Sequence, residues 1–454
     1  MTQSPSAPVF TSDSKPRRAP GPHDLGSLNH GIGFVRSPLA LLEDATQKYG
    51  PIVRYGKGAR CLHLLHHPKH VQQVLIDNNK NYEKSSPFGM MKFIFGRGLL
   101  FNEGPSWFSQ RRLLQPSFQP KQFNQLGAGI SDVIAAGVNR WPRLQTEVVD
   151  IEEEMVDLSY GIIGKLLFGA DLSPDLRFVL DSTGTKFRFF MGNIPLTPQN
   201  RGYKGTFHRV NKAVYGLIEE RRAAEHPGDD MLGIMIGVKD KDTGLGMSDL
   251  QLRDEIVTLL FSGFDTTSRT LSWVFHALAE NPHVEEAVHE ELERVLGGRN
   301  PGVEDLPNLP YLQKVVKETM RVFPALPIIG RRAKGDDVID GYEIPAGSFL
   351  TISPYLAHRD PNFWEDPLRF DPERFSPENE PKIGKFDYYP FGGGPRQCIG
   401  KGIAMMTIPL AVATIAQQFR FVSSPNWKVE HDIKVSFQSR RGIRATRQVR
   451  PSLN

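Results

Sequence analysis

One helical pattern, unbroken from Ser248 to Glu280, constrains the fold of this 454-residue chain more than any other feature. Pro282 follows it as a stop signal. At about 1.5 Å per residue, a helix of this length would be roughly 50 Å long and would cross the whole molecule. Helical character is expected from Phe101 to about Leu296. The sequence therefore predicts a mainly α fold with a long central helix.

A minor β part is predicted outside this helical region. Ile52–Tyr55 and Leu62–Leu65 are typical of two paired strands, and Val429–Arg447 alternates like a small hairpin. The chain from Pro324 to Pro390 is rich in proline, so we expect few strands there.

No internal repeat and no long linker divides the chain, so residues 25–454 are predicted to form a single domain. Residues 1–24 are rich in serine and proline, which predicts a flexible leader. A last helix is expected after Cys398, and Pro409 inside it predicts a kink.

Composition argues against several classes of function. The chain is 39% hydrophobic with a net charge of only +4, so it can bury a large core and is a poor partner for nucleic acid. Its two cysteines, Cys61 and Cys398, exclude a disulfide framework and predict a cytoplasmic location. Apolar stretches such as Met405–Ala416 are too short to cross a membrane, so we expect no membrane anchor. A soluble monomer is predicted.

The second cysteine lies in an unusual setting. The segment from Phe391 to Gly400 reads Phe-Gly-Gly-Gly-Pro-Arg-Gln-Cys-Ile-Gly and ends where an apolar helical stretch begins. A helix N-terminus and the nearby Arg396 both favour the thiolate of Cys398. That thiolate can serve as a nucleophile, a redox sensor or a ligand to a soft metal. The neighbouring glycines let the backbone approach a flat group and so favour the ligand; without them, an inert buried cysteine would be the ordinary interpretation.

The centre of the long helix carries a polar patch, Ser262–Thr267. A glycine inside a helix costs about 1 kcal/mol relative to alanine, so Gly263 indicates a local requirement. Thr266 can donate a hydrogen bond to the carbonyl of Ser262, one turn earlier, and so loosen the helix. Asp265 beside it can supply protons. By itself, such a pattern in a helix is more often an incidental polar patch than a proton relay.

Several pairs of side chains lie one helical turn apart. Glu318 shares a helical face with Arg321, and Trp107 shares one with Arg111. Spacing alone does not distinguish the second pair from a surface aromatic–cation contact. Two pairs spaced like the first are predicted to be exposed ion pairs, namely Glu219 with Arg222 and Glu291 with Arg294.

The segment around Cys398 resembles the heme-binding loop of the cytochrome P-450 family, the heme-thiolate monooxygenases. The positions that match its pattern are Phe391, Gly394, Arg396, Cys398, Gly400 and Ala404. Thr407 departs from it, since an acidic or amide residue is more usual there. Further motifs follow in the family's order from Trp107 to Ala404, so the resemblance covers most of the chain.

The resemblance implies that heme b, iron protoporphyrin IX, is the cofactor and lies between the long helix and the helix after the cysteine loop. The Cys398 thiolate would ligate the iron, and Asp265 and Thr266 would route protons to bound O2. The residues implied in binding the heme are Cys398, Trp107, Arg111, Gly263, Arg331, Phe391, Arg396 and Gly400. Arg332 is the alternative to Arg331 at a heme propionate.

The resemblance also implies a structural network and a surface for a redox partner. Glu318, Arg321 and Arg374 would form a buried ionic network that supports the heme pocket. The segment His358–Pro361 resembles one near the side of the family's fold where the redox partner binds. Four basic residues are expected to form a docking face for an acidic partner: Arg111, Arg112, Lys385 and Lys401.

The implied activity is the insertion of one oxygen atom from O2 into a C–H or C=C bond of a hydrophobic small molecule. Because no flavin or iron–sulfur segment is visible, we expect electrons from a ferredoxin or flavodoxin with its reductase. Three apolar stretches either line the substrate pocket or pack in the core: Ser86–Phe95, Phe187–Leu196 and Ala325–Ile329. Such a pocket would suit a fatty acid, terpenoid, steroid or polyketide, and nothing in the sequence ranks these.

Three other functions stay open. A peroxygenase or heme-thiolate isomerase would use the thiolate without external electrons, and a heme sensor or carrier would have no turnover. Neither needs the acid–alcohol pair of Asp265 and Thr266. A cysteine hydrolase is the third, although the chain has no recognisable histidine partner motif for it.

Overall fold

The computed structural model describes residues 16–22, 38–56, 61–84, 95–177, 180, 200–433 and 435–450. The predicted leader lies mostly outside the described residues. So do the apolar stretch Ser86–Phe95, apart from Phe95, and all of Phe187–Leu196.

The described chain is mainly helical with a minor β part, as predicted. Its helices are α1 (Pro38–Tyr49), α2 (Pro68–Gln72), α3 (Gly104–Leu114), α4 (Pro120–Asn139), α5 (Ile151–Phe168), α6 (Asn200–Ala223), α7 (Met231–Gly237), α8 (Asp249–Glu280), α9 (Pro282–Leu296), α10 (Pro310–Val322), α11 (Pro354–Ala357) and α12 (Lys401–Gln418). Its strands are β1 (Ile52–Tyr55), β2 (Leu62–Leu65), β3 (Tyr82–Glu83), β4 (Thr146–Asp150), β5 (Ile329–Ala333), β6 (Asp337–Ile339), β7 (Tyr342–Ile344), β8 (Phe349–Ile352), β9 (Phe419–Ser423), β10 (His431–Ile433), β11 (Phe437–Ser439) and β12 (Arg444–Val449).

The chain divides into two compact units, each assembled from separate segments. The first takes residues 1–86, 328–357 and 384–397, and the second takes residues 87–327, 358–383 and 398–454. This division does not test the single domain expected over residues 25–454, which stays a prediction.

A five-stranded sheet organises the first unit, in the order β1-β2-β8-β5-β3. The strands β2 and β8 run parallel, and the other neighbours are antiparallel. The predicted pair of strands is confirmed, with Ile52 opposite Leu65. Buried side chains such as Leu65, Leu350 and Ile352 form a core with Phe386, and burying each contributes roughly 1.5–3 kcal/mol.

The long helix α8 organises the second unit. Ser248 caps it by accepting the N–H of Gln251 at 3.3 Å. Every residue from Leu252 to Phe261 is buried, and α8 contacts α5, α6, α9, α10 and α12, so this part of the helix lies in the core. The predicted helix is confirmed. Pro282 also opens α9, because proline is tolerated at the first position of a helix.

Two smaller antiparallel sheets belong to the second unit. One has the order β4-β12-β9, and the other is the hairpin of β10 and β11. The predicted C-terminal hairpin is confirmed over His431–Ser439, whereas Arg444–Arg447 pairs in the other sheet.

Two expectations about strands are wrong. The stretch from Pro324 to Pro390 holds four strands, β5 to β8, because none of its prolines lies inside a strand. The strand β4 interrupts the helical region that was expected from Phe101 onward. Pro409 does lie inside α12, and the kink stays a prediction.

Among the described helices, none combines the length and the apolar content that crossing a bilayer requires.

Candidate active site

Cys398 lies on the loop that enters α12, and it is exposed, whereas Cys61 is buried. The backbone N–H groups of Gly400 and Lys401 donate to its sulfur. Burial among protein atoms raises the pKa of the Cys398 thiol, and the Gly400 N–H, the charge of Arg111 and the Lys401 N–H lower it. Burial outweighs these three effects, so the predicted lowering of this pKa is wrong for the protein without bound iron. Cys398 can be exposed and still desolvated, because exposure depends on its immediate neighbours, whereas desolvation depends on all the protein around the sulfur.

Two glycines of the cysteine loop are required by packing inside the first unit. Gly394 has a φ of +70°, and a Cβ there would lie 1.9 Å from the carbonyl oxygen of Leu75. A Cβ on Gly393 would lie 2.6 Å from the ring of Phe386. These glycines therefore allow the loop to pack against the turn that follows α2, in addition to the predicted approach of a flat group.

Three residues of the first unit were predicted to bind heme. Phe391 and Arg396 are half-buried. In β5, Arg331 is 7% exposed, whereas Arg332 is exposed and lies 5.8 Å from the centroid of the Phe349 ring. Neighbouring side chains of a strand point to opposite faces, so only one of the two arginines can face the interior. This favours Arg331 over Arg332, and contact with the heme stays a prediction for all three.

Trp107 and Arg111 lie one turn apart on α3 in the second unit. Trp107 is only 2% exposed and Arg111 is half-buried, which excludes a surface aromatic–cation pair. Burial lowers the pKa of Arg111, and the charge of Cys398 raises it. The guanidinium and the sulfur are thus close enough to act on each other. The structure brings together two residues predicted to bind heme.

The centre of α8 differs from the rest of the helix in exposure. Residues Leu252–Phe261 are all buried, whereas Ser262, Gly263, Thr266 and Thr267 keep accessible surface. These four positions follow one another at helical spacing and form one face. A polar, accessible face in the middle of a buried helix indicates that it borders a space rather than the packed core.

Hydroxyl groups on α8 bond back along the helix. Thr266 Oγ1 donates to the Ser262 carbonyl at 2.8 Å, as predicted, and Ser262 Oγ donates to the Thr258 carbonyl at 2.7 Å. The helix is α-helical throughout Asp249–Glu280, so the expected loosening is wrong.

Gly263 has a packing reason in this structure. A Cβ there would lie 2.8 Å from Cδ1 of Ile163, so the glycine lets α8 approach α5 closely. A role of Gly263 toward the cofactor stays a prediction.

Asp265 is buried beside an arginine that the sequence motif did not include. Arg269 Nε lies 3.7 Å from Asp265 Oδ1, and Arg269 Nη1 lies 3.3 Å from Oε1 of Glu152 on α5. The spacing of four residues between Asp265 and Arg269 is a readable signal, but Glu152 is more than a hundred residues away in the sequence.

The predicted network of Glu318, Arg321 and Arg374 is present, with Glu318 and Arg321 fully buried and Arg374 half-buried. Arg321 Nε and Nη2 donate to the Glu318 carboxylate at 2.7 and 2.8 Å, and Arg374 Nε lies 3.5 Å from it. Glu318 also accepts the N–H of Asp371 at 2.8 Å. Burial raises the pKa of Glu318, and its bonds with Arg321 lower it.

His358 belongs to the interior of the second unit. It is fully buried, its carbonyl accepts Arg321 Nη1 at 2.7 Å, and burial lowers the pKa of its imidazole to about 3. The side chain of His358 therefore cannot contact a docked partner.

The two pairs expected on the surface are not pairs in this structure. Glu291 is 7% exposed and accepts the N–H groups of Tyr311 and Leu312 at 2.9 Å, which caps the start of α10. Arg222 bonds to Asp249 at 2.7 Å. The expectation failed because an i,i+3 spacing does not show which longer-range partners compete.

The positive charge of the expected docking face is partly offset by acidic residues. Arg112 bonds to Asp240 and also contacts Asp242, both at 2.7 Å. Hydrogen bonding to Asp240 raises the pKa of Arg112. Two carboxylates therefore offset its charge, whereas Lys385 and Lys401 are exposed lysines.

Two acids of α8 hold the loop that precedes α3, and the sequence motifs did not include them. Asp254 accepts the N–H of Arg97 at 2.7 Å, and Glu255 accepts the N–H of Leu99 at 2.9 Å. Glu255 is fully buried, and burial raises its pKa to about 8. These bonds fix the entry to the helix that carries Trp107.

Comparison with known proteins agrees with this geometry. A family profile described as Cytochrome P-450 matches residues 25–441. Cyclooctatin synthase of Streptomyces melanosporofaciens is 32% identical over 91% of this chain and 92% of that protein. Cyclooctat-9-en-7-ol 5-monooxygenase of the same organism is 31% identical over 90% of each chain. Pentalenene oxygenase of Streptomyces avermitilis is 27% identical over 88% of this chain and 90% of that protein.

Solved structures share the fold. A cytochrome P-450 heme domain superposes with a TM-score of 0.87 at 24% identity, covering 96% of this chain and 99% of that one. A cyanobacterial relative solved with retinoic acid bound gives a TM-score of 0.85 at 21% identity, covering 96% of this chain and 100% of that one.

Proposed function

We propose that this protein, which belongs to the cytochrome P-450 family and is therefore a heme b-dependent monooxygenase, acts on a terpenoid substrate. The observation that carries this proposal is the pair of relatives at 31 and 32% identity over nine-tenths of the chain, both named for cyclooctat-type compounds. Pentalenene oxygenase is a third relative named for a terpenoid. A cysteine hydrolase and a heme carrier are set aside, because two of the named relatives are oxygenases.

The residues of the second unit fit a heme-thiolate site. Cys398 is exposed, receives two backbone N–H groups and lies within electrostatic reach of Arg111. Its helix α12 contacts α8, whose centre carries the accessible polar face of Ser262, Gly263, Thr266 and Thr267. Cys398 would hold the iron, and the heme, when bound, supplies the activation of O2 and the transfer of one oxygen atom to the substrate.

The protein would supply orientation and protons. We assign Asp265 and Thr266 to proton delivery, because Thr266 lies on the accessible face of α8 and Asp265, the residue before it in the sequence, carries a carboxylate. Substitution of Asp265→Asn should divert electrons from product into hydrogen peroxide. Unchanged coupling of electrons to product in that variant would remove the relay.

Electrons would come from a separate ferredoxin or flavodoxin with its reductase. Lys385 is the better residue for a test, since Arg112 is offset by two carboxylates and the charge of Lys401 acts on Cys398. Reversal of charge in Lys385→Glu should slow reduction by an acidic ferredoxin and leave the heme spectrum unchanged. An unchanged rate would remove Lys385 from the docking face. The monomeric state and the cytoplasmic location stay predictions.

The substrate is tested by titrating the heme-loaded protein with cyclic terpenes, terpene alcohols, fatty acids and steroids. We expect the terpenoids to shift the heme to high spin at the lowest concentration. Turnover under isotopically labelled O2 should then place one labelled oxygen atom in a terpenoid product. Tighter binding and faster oxygenation of a fatty acid or a steroid would contradict the assignment.

A further inference from the structure

An ionic group next to Asp265 has no role in the function argued so far. Arg269 follows Asp265 by four residues on α8, and Glu152 lies in the first turn of α5. The side chains of Arg269, Asp265 and Glu152 are 13, 11 and 12% exposed. All three are therefore mostly buried.

The Arg269 guanidinium is divided unequally between the two carboxylates. Nη1 lies 3.3 Å from Glu152, whereas Nε lies 3.7 Å from Asp265, which is beyond a hydrogen bond. Arg269 Nε is buried and has no hydrogen-bond partner among the residues that the structure describes. A charged N–H in this state is costly, and a small movement toward Asp265 would complete a bond.

Glu152 is fixed from its other side by β11. Its Oε1 accepts the N–H of Ser439 at 3.0 Å, and its Oε2 accepts the Ser439 hydroxyl at 2.8 Å. Its place in the first turn of α5 adds the favourable field of the helix N-terminus. An anchored Glu152 therefore competes with Asp265 for the guanidinium.

We propose that Arg269 is a positioning residue of the proton relay and that Glu152 sets how tightly Arg269 holds Asp265. This inference rests on the proposed role of Asp265. In each cycle Asp265 passes its proton toward the Thr266 hydroxyl, becomes a carboxylate beside Arg269 and takes the next proton from water. An arginine bonded fully to Asp265 would restrain its side chain, and no arginine at all would leave that side chain without the contact that positions it. Sharing with Glu152 gives a state between these extremes.

In the heme-loaded full-length protein, Arg269→Ala and Glu152→Gln should each lower the product formed per electron pair about tenfold, a small part of what a proton-transfer group contributes. Hydrogen peroxide should rise to match. The double variant should be no worse than Arg269→Ala alone, because Glu152 acts only through Arg269. Arg269→Lys should recover part of the coupling, since it keeps the charge but cannot bridge both acids.

The matched control is Glu154→Gln. Glu154 lies two residues further along α5 and bonds to Arg447 at 3.1 Å, so it removes an ion pair of the same helix with a different arginine. It should change coupling less than twofold, a small effect expected of a site outside the relay. The reduced, carbon monoxide-bound spectrum of each variant checks that the heme site is intact.

A second readout does not depend on turnover. Urea unfolding of the heme-loaded protein gives the energetic coupling between residues 265 and 269. It is obtained from Asp265→Asn, Arg269→Ala and their combination, with and without Glu152→Gln. Removal of the competing carboxylate should strengthen that coupling, by about fivefold in the unfolding equilibrium constant.

The outcomes separate this inference from the function on which it rests. If Arg269→Ala couples electrons as well as the Glu154→Gln control while Asp265→Asn uncouples them, the relay stands and the role of Arg269 is wrong. If Asp265→Asn has no effect, the relay itself is wrong and this inference falls with it. An Asp265–Arg269 coupling unchanged by Glu152→Gln would overturn the role of Glu152.

Discussion

Two buried arginines of the second unit show opposite degrees of satisfaction. Arg321 donates five hydrogen bonds, two to Glu318 and one each to the carbonyls of His358, Pro367 and Arg369. A guanidinium has five N–H donors, so every one is used. Arg269 instead lies between two carboxylates, with a buried Nε that forms no hydrogen bond to any described residue.

A fully bonded buried guanidinium such as that of Arg321 has one low-energy arrangement, and it therefore holds the surrounding segments rigidly. Arg374, at the edge of the same network, is less complete, since its Nε forms no hydrogen bond to any described residue. A partly bonded guanidinium such as that of Arg269 leaves a buried donor unsatisfied, and exceptions of this kind call for an explanation such as a role in catalysis. We accordingly assign a structural role to the group around Arg321 and a functional role to the group around Arg269.

The largest expected effect breaks the satisfied network. Glu318→Ala should lower the free energy of unfolding by about 3–5 kcal/mol, because Arg321 would keep a buried charge without its carboxylate. Urea unfolding measures this. The control Arg222→Ala removes a pair with Asp249 whose side chains are 39 and 58% exposed, and it should cost less than about 1 kcal/mol. Equal losses in the two variants would show that the network of Glu318 has no special weight.

The buried acid Glu255 is intermediate between the fully bonded Arg321 and the partly bonded Arg269. One of its oxygens accepts the Leu99 N–H, and the other has no hydrogen-bond partner among the described residues. Burial raises its pKa to about 8. Between about pH 4.5 and 8 the unfolded chain has released this proton and the folded protein keeps it, so rising pH favours unfolding.

The amide in Glu255→Gln does not titrate and should remove this dependence. Relative to the variant, the wild type should lose about 3 kcal/mol of unfolding free energy between pH 5 and 8, at about 1.4 kcal/mol per pH unit over most of that window. Urea unfolding at several pH values provides the comparison. Parallel curves for the two proteins would show that Glu255 is ionised throughout.

Much of this architecture is predictable from the sequence, and the limits have physical causes. The helix α8 was predictable because its pattern is long and unbroken, and Glu318 with Arg321 because their partners are local. The strands β5 to β8 are only three to five residues long and lie between prolines, so no period could develop in them.

Within the site, local motifs were predictable and distant contacts were not. Thr266 bonds within its own helix and was predicted correctly. Glu152 and Glu291 are surface-like acids in the sequence, and only the fold brings them to Arg269 and to the start of α10. The pKa of the Cys398 thiol was misjudged because desolvation depends on the whole surrounding fold.

The smallest effect tests the packing behind the functional face of α8. Gly263→Ala should cost about 1 kcal/mol, because its Cβ would lie 2.8 Å from Cδ1 of Ile163, the end of a side chain that can move aside, and because alanine favours the helix. Adding Ile163→Val removes that atom and should restore part of the loss. The control is Gly216→Ala on α6, where a Cβ meets nothing within 4 Å, so the change should stabilise the protein by about 0.5–1 kcal/mol. A destabilised Gly216→Ala together with a neutral Gly263→Ala would refute the close approach of α8 and α5.

Ligation of iron by the Cys398 sulfur is the premise of the whole mechanism. It is tested most directly by the absorption spectrum of the reduced, carbon monoxide-bound protein, recorded for the wild type and for Cys398→Ser. We expect the wild type to show the strongly red-shifted Soret band that a thiolate ligand produces, and the variant to lose both that band and oxygenation of substrate. A wild type that lacks this band, or a serine variant that keeps band and activity, would contradict the account.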